Sequence, residues 1–433
     1  MNFRDHLGTG LWAVADKAIL LLYGFAVIIV VINVLPESEY AAFVLFQTIF
    51  IIICVLSDSI FLQPMVKFAS EHRAETEEVL AATFNLYSLV MLVVGLGFAI
   101  ASKPLSQLYQ NQELQIMLQL LPLILAVNIL RGIGIRILQV SYKISQIFWV
   151  DLAYYGSMIL LTLLANTLGM FATGLDFLII NGIGGLFSSI VAFYFCRSEL
   201  LQMPLLKVPR GEYQKLLSFA KFQTGTSVLM ALQQWADVLV VGVYAPTYVA
   251  LFSAAKNLYR GFDAVREGAT LLIVPVASKL HTAGEKKQLS ELIEKMLFIA
   301  FAILVPVSLV LALGSTTLMG IFYKGKFPGI DAVFRILILT GFTLPLSLVA
   351  TNVLIGVGKV KGLFISTFIA TLIFFALTRV LIPIMQAEGA ALAVFCSTSI
   401  LGILTFAVMR RELSVSARGV LRRAKRLKKE PII

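Results

Sequence analysis

The sequence predicts an all-α polytopic membrane protein: about twelve transmembrane helices in two six-helix lobes, related as a parallel pseudo-two-fold repeat around a central cavity. Three observations lead there. Of the 433 residues, 59% are hydrophobic and only 14% are charged, against about a quarter in a soluble domain, and the mean hydropathy is +0.91. The apolar residues gather into runs long enough to cross about 30 Å of hydrocarbon. The two halves of the chain also echo one another in order.

The runs lie near 11–34, 41–62, 79–101, 116–137, 147–168 and 175–195 in the first half. In the second they lie near 216–243, 249–275, 296–313, 332–355, 362–383 and 389–409. The first run is interrupted by Asp16-Lys17 and is about twice the length of a signal-peptide core, so it is expected to stay as a helix. Leu35–Phe43 answers Tyr244–Phe252 at an outside turn, and Gln63–Lys67 answers Val274–Lys279 at an inside helix end. Leu138, Lys143 and Phe148 recur as Leu354, Lys359 and Phe364, and Gly174 recurs as Gly389. An even number of spans in each half gives both copies one orientation, with an axis along the membrane normal. The expected division is an N-terminal lobe 1–207, a C-terminal lobe 208–409 and a basic tail 410–433. The linker is the stretch Arg197–Lys215 with Pro204 and Pro209.

A net charge of +11 on a chain this apolar reports topology and anionic headgroups rather than nucleic acid. With the N-terminus inside, the inside loops and tails hold nearly all Lys and Arg, and the outside loops hold only Lys103, Lys324 and Lys326. Both termini are therefore expected in the cytoplasm. The tail, with Arg410, Arg411, Arg418, Arg422, Arg423, Lys425, Arg426, Lys428 and Lys429 among apolar residues, reads as an interfacial helix on anionic lipid. Its second expected use is to dock a polysaccharide-assembly enzyme. Cys54, Cys196 and Cys396 are far apart, as are His6, His72 and His281, which argues against a disulfide framework, a metal site or histidine chemistry. Gly132-Ile133-Gly134 and Gly182-Ile183-Gly184-Gly185 lie in apolar runs, suit close helix packing and form no Walker loop. The expectation is a non-enzyme without a cofactor.

The run Leu251–Val276 carries Lys256, Arg260, Asp263, Arg266 and Glu267. Facing lipid, five charges would cost about 2.5 to 3.5 kcal/mol each, roughly 12 to 17 kcal/mol together. At 100° per residue, Lys256, Arg260, Asp263 and Glu267 fall within about 60° of one another, so one face is expected to line a wet cavity. Lys256 and Arg260 are like charges one turn apart, as are Asp263 and Glu267, an arrangement that repels. A cationic patch of this kind suits a phosphate or diphosphate, and the two carboxylates suit a proton or sodium. Asp237 joins Lys256 at an outer level; Lys17, Asp58, Arg131, Arg136 and Asp151 define an inner one. Helix-gluing ion pairs, such as Asp237 with Lys256, Lys17 with Asp58 and Arg260 with Asp263, are the competing expectation.

The segments Leu35-Pro36-Glu37-Ser38-Glu39-Tyr40, Trp235–Gly242, Val243-Tyr244, Pro275 and Glu388–Ala393 occur in an order that resembles the polysaccharide flippase branch of the multidrug/oligosaccharidyl-lipid/polysaccharide exporter superfamily. The resemblance, to the O-antigen translocases among others, implies two lobes alternating between inward-open and outward-open forms in a bacterial inner membrane. It implies movement of polyprenyl-diphosphate-linked oligosaccharide to the outer leaflet for cell-surface polysaccharide. Arg260, Lys256, Arg266 and Lys17 then bind substrate, while Asp263, Glu267, Asp237 and Asp58 serve ion coupling or charge pairing. The alternative is a cation-coupled drug or metabolite antiporter of the same superfamily, with Asp58, Asp237 and Asp263 as exchange sites. A membrane glycosyltransferase would need catalytic carboxylates or histidines in a sizeable outside loop, which the short outside loops do not offer.

Overall fold

The computed structural model describes residues 12, 15, 16, 18–25, 27–71, 76–205 and 207–413, without the side chains at 27, 28, 70, 71, 219–224, 226, 263, 264, 267 and 271. The described residues are helical with short connections. Following the apolar stretch Ala18–Ile32 come α1 (Glu37–Ala69), α2 (Thr76–Ile100), the short α3 (Ser102–Leu108), α4 (Glu113–Val140), α5 (Ile144–Thr167), α6 (Gly174–Gln202) and α7 (Arg210–Tyr244). Then follow α8 (Val249–Tyr259), α9 (Gly261–Thr282), α10 (Lys286–Leu313), α11 (Ser315–Tyr323), α12 (Ile330–Ile338), α13 (Leu344–Gly356) and α14 (Val360–Leu413).

Among the described residues eight helices are long and apolar enough to cross a membrane, and a bent pair makes a ninth. The expected twelve account for these. The 54 residues of α14 would reach about 80 Å, far more than one crossing needs, and its backbone leaves helical geometry at Gln386 (φ 52, ψ −124), so it holds two spans. The loop expected before Gly389 is thus a one-residue break. The tenth span bends by 50° between Ile330–Phe342 and Leu344–Gly356. Pro345 explains the bend, because its ring lacks an N–H and crowds the carbonyl four residues back. The first expected span lies partly outside the described residues, and the eighth is α8 plus α9, which carries Lys256, Arg260, Asp263, Arg266 and Glu267 among its apolar residues.

The chain forms two compact units, Met1–Ala250 and Leu251–Ile433. This division differs from the sequence boundary at 207/208 because α7, first helix of the second half by sequence, packs on α1 and α2 within the first unit. Within that unit α4 packs most extensively on α6 and α2. A Cβ at Gly134 would sit 2.8 Å from Ala192 Cβ, and one at Gly185 would sit 2.9 Å from Asn128 Nδ2, so both glycine clusters do serve close packing. On α2, Leu89, Val93, Leu96 and Ile100 are exposed at helical spacing, as a lipid-facing stripe requires.

The repeat is visible in the turns that precede α5 and α14. In each, a lysine N–H closes the turn on a leucine carbonyl at 2.9 Å, Lys143 on Leu138 and Lys359 on Leu354. The residue before each lysine is left-handed, Tyr142 at φ 54 and Gly358 at φ 73. Each lysine then pairs with a glutamate near the end of a later span, Lys143 with Glu199 of α6 at 3.5 Å and Lys359 with Glu412 of α14 at 3.2 Å. The tail beyond Leu413, with its expected interfacial helix, lies outside the described residues.

In the second unit α9 runs against α13, where a Cβ at Gly356 would stand 2.7 Å from the Val274 carbonyl oxygen and 3.0 Å from Ala277 Cβ. Gly356→Ala is therefore expected to destabilise this unit by about 1 to 3 kcal/mol, as overpacking does. Gly320→Ala, where a Cβ meets nothing within 4 Å, is the matched control and should leave thermal unfolding in detergent unchanged or slightly improved.

Candidate functional site

In the first unit the inner-level charges are brought together by two π-helical turns, Asp58–Leu62 within α1 and Leu152–Gly156 within α5. A π turn inserts an extra residue into a helix and recurs at functional positions. Asp58 opens the first turn and Asp151 immediately precedes the second, so each carboxylate stands where its helix widens. Arg136, from α4, donates to Asp58 through Nε at 2.9 Å and Nη2 at 2.7 Å, and its Nη1 donates to Gln139 Oε1 at 2.6 Å. Gln63 Nε2 donates to the other Asp58 oxygen at 3.1 Å. Arg131, also from α4, donates to Asp151 at 2.5 Å and lies over the Tyr154 ring at 4.3 Å and the Tyr155 ring at 5.8 Å. Tyr154 Oη donates to Asn181 Oδ1 at 3.1 Å, tying α6 into the cluster.

Two guanidinium groups thus meet two carboxylates in partly buried surroundings. The expected partner of Asp58 was Lys17, a residue outside those described; the structure pairs Asp58 with Arg136. Tyr154, Tyr155, Gln63 and Gln139 join the cluster although the sequence does not single them out. A signal existed for the tyrosines, which follow Asp151 by three and four residues and so share its helix face.

Asp237, on α7, is 2% exposed, and Val238 N–H donates to its Oδ1 at 2.9 Å. Ser59, beside Asp58, meets Ser227 of α7 through their hydroxyls. Asp237 stands ten residues farther along α7, about 15 Å at 1.5 Å per residue, so Asp58 and Asp237 do not form one site.

In the second unit the eighth span is divided. Leu251, Phe252, Ala254, Ala255 and Tyr259 of α8 are all buried, so this helix is covered on every side, and Lys256 within it is only 5% exposed. The helix stops at Tyr259, and Arg260 is the half-buried residue from which α9 starts. At this junction Arg260 keeps right-handed backbone (φ −57, ψ −15) and its N–H donates to the Lys256 carbonyl at 3.0 Å, so Lys256 and Arg260 retain helical spacing. Tyr323 Oη donates to the Ala254 carbonyl at 2.7 Å and holds α8 from α11. Beyond the break, Thr270 Oγ1 donates to the Arg266 carbonyl at 3.0 Å and meets Asn352 Oδ1 of α13 at 2.9 Å. Arg266 is half-buried; the side chains of Asp263 and Glu267 lie outside the described residues.

A lysine and an arginine one turn apart, the second at a helix break, form a compact cationic element that suits a multiply charged anion. Among the described residues no group of three or more His, Cys, Asp or Glu side chains could hold a metal ion.

A family model described as "Polysaccharide biosynthesis protein" matches residues 34–331. No curated protein is a match for the chain. Among solved structures it is similar to the lipid II flippase MurJ in an inward-closed conformation, with 19% identity and a TM-score of 0.74 over 95% of this chain and 89% of that one. It is similar also to an inward-facing multidrug-resistance MATE transporter of the MOP superfamily, with 16% identity and a TM-score of 0.77 over 93% and 98%. A MOP-superfamily transporter from Pyrococcus furiosus, described by the reversed polarity of its binding pocket, matches with 14% identity and a TM-score of 0.57 over 93% and 94%. At these identities the likeness shows the fold.

Proposed function

The chain belongs to the polysaccharide biosynthesis family, and from that premise we propose that it is a flippase moving polyprenyl-diphosphate-linked oligosaccharide from the inner to the outer leaflet by alternating access. It is a multi-pass membrane protein with the flippase and transporter fold. The observation that carries the reading is the family match over residues 34–331; the half-buried Arg260, one turn after the buried Lys256, is the cation proposed to meet the substrate. Lys256 supplies a point charge and Arg260 a planar fork, which together suit a diphosphate. Arg266 and Lys17 extend the cationic set in this reading. The basic bias of the inside loops supports a bacterial inner-membrane location with cytoplasmic termini.

The test is a reconstituted assay with a labelled polyprenyl-diphosphate oligosaccharide. Protein-dependent transfer between leaflets, competed by a short-chain prenyl diphosphate, is the expected result. Absence of transfer, together with exchange of a cationic drug for protons or sodium, would replace it with the antiporter reading. That second reading draws on the likeness to the multidrug transporter and on the buried carboxylate of Asp237.

Asp263 and Glu267 are proposed to carry the coupling proton or sodium. The Asp263→Asn/Glu267→Gln variant should then transport at a rate independent of the imposed ion gradient; unchanged gradient dependence in the same vesicles would remove both residues from coupling.

A further inference from the structure

An open groove of about 480 Å³ runs along the outer seam of α5 and α6. Trp149, Leu152 and Ala153 form one wall; Ile190, Val191 and Tyr194 form the other. Every lining residue is apolar or aromatic. The seam is closed behind them, where Ser188 Oγ donates to the Val150 carbonyl at 2.8 Å and Val150 is fully buried, so the groove is a blind furrow and not a passage. The π turn starting at Leu152 puts two wall residues on a widened stretch of α5. Trp149 and Tyr194 remain 48% and 62% exposed, as aromatic residues at a membrane interface do. Trp12 packs on Phe148 at 4.8 Å and against Trp149 at 6.4 Å, continuing this aromatic level.

Charge marks one end of the furrow. Arg197 is exposed, with its guanidinium over the Tyr194 ring at 5.5 Å, and the Lys143–Glu199 pair stands on the neighbouring turns. Among the described residues at that end Lys143 is matched by Glu199, which leaves Arg197 as the cation there. From Ile190 to Arg197 the helix rises about 10 Å, the depth of the headgroup-proximal half of an acyl chain. A hydrocarbon furrow ending in an exposed arginine is complementary to an amphiphile with an anionic head.

We propose that this furrow is a binding site for an anionic phospholipid, one acyl chain between α5 and α6 and the headgroup phosphate on Arg197. The site is independent of what the protein transports. Its test is native mass spectrometry of the detergent-purified full chain, titrated with phosphatidylglycerol and phosphatidylcholine of identical acyl chains. The wild type should favour phosphatidylglycerol in the first bound lipid by about fivefold, the effect of one arginine near a headgroup. Arg197→Ala should bring that ratio close to one, whereas Lys103→Ala, an exposed cation on α3, should leave it unchanged. Ala153→Phe, which fills the furrow, should remove the first bound lipid of either type. A preserved preference in Arg197→Ala would overturn the proposal. So would undiminished first-lipid occupancy in an Ala153→Phe protein that elutes as wild type. Arg197 is a surface residue whose variant folds whatever happens at Ala153, so its ratio decides alone.

Discussion

Replacing Arg260 by alanine is expected to abolish translocation while leaving protein level and membrane insertion intact. The residue occupies the break between α8 and α9 with backbone φ −57 and ψ −15, ordinary right-handed values that alanine adopts without strain. Its side chain makes no capping bond to α9, so truncation removes no cap. What it removes, in the proposed function, is the bidentate donor to the diphosphate. Truncating one partner of a desolvated charge pair costs about 2 to 5 kcal/mol, and each 1.4 kcal/mol is tenfold, so transport should fall by roughly 30-fold or more. Arg260→Lys retains the charge but not the fork and should recover only part of the loss. Transport by the alanine variant at wild-type rate and matched abundance would remove Arg260 from the site.

The second large effect is expected on stability, from Arg131→Ala. Arg131 and Asp151 meet at 2.5 Å with side chains 20% and 14% exposed, and the pair ties α4 to the π turn of α5. Removing the arginine strands the Asp151 carboxylate and takes away a cation stacked on Tyr154. Breaking a buried pair costs about 3 to 5 kcal/mol, and partial exposure places this one near 3 kcal/mol. The same principle predicts that Arg131→Met/Asp151→Leu, an apolar replacement of both partners, is closer to wild type than either single change. Thermal unfolding of the three variants in detergent checks this. Additive losses in the double variant would show that Arg131 and Asp151 do not act as a pair.

The spans could be read because lipid imposes a length and a polarity on each, and the charges of the eighth stood out against that background. Lys143 and Lys359 marked the repeated turn because the same local pattern of Leu, Lys and Phe surrounds both. The pairing of Asp58 with Arg136 was hidden: 78 residues separate them, and a cation nearer in sequence, Lys17, competed for the assignment. The π turns left no trace in composition, because an extra residue in an apolar helix changes neither its length class nor its polarity. The grouping of α7 with the first unit follows from packing on α1 and α2, which a repeat in sequence does not encode.

The most direct test of the proposed function is mass spectrometry of lipid-linked oligosaccharides in cells lacking this gene, restored with the wild type or with Arg260→Ala. The flippase account predicts accumulation of a completed polyprenyl-diphosphate glycan that the wild type clears and Arg260→Ala does not. No accumulation, with a new sensitivity of the cells to cationic compounds, would contradict it and point to an antiporter.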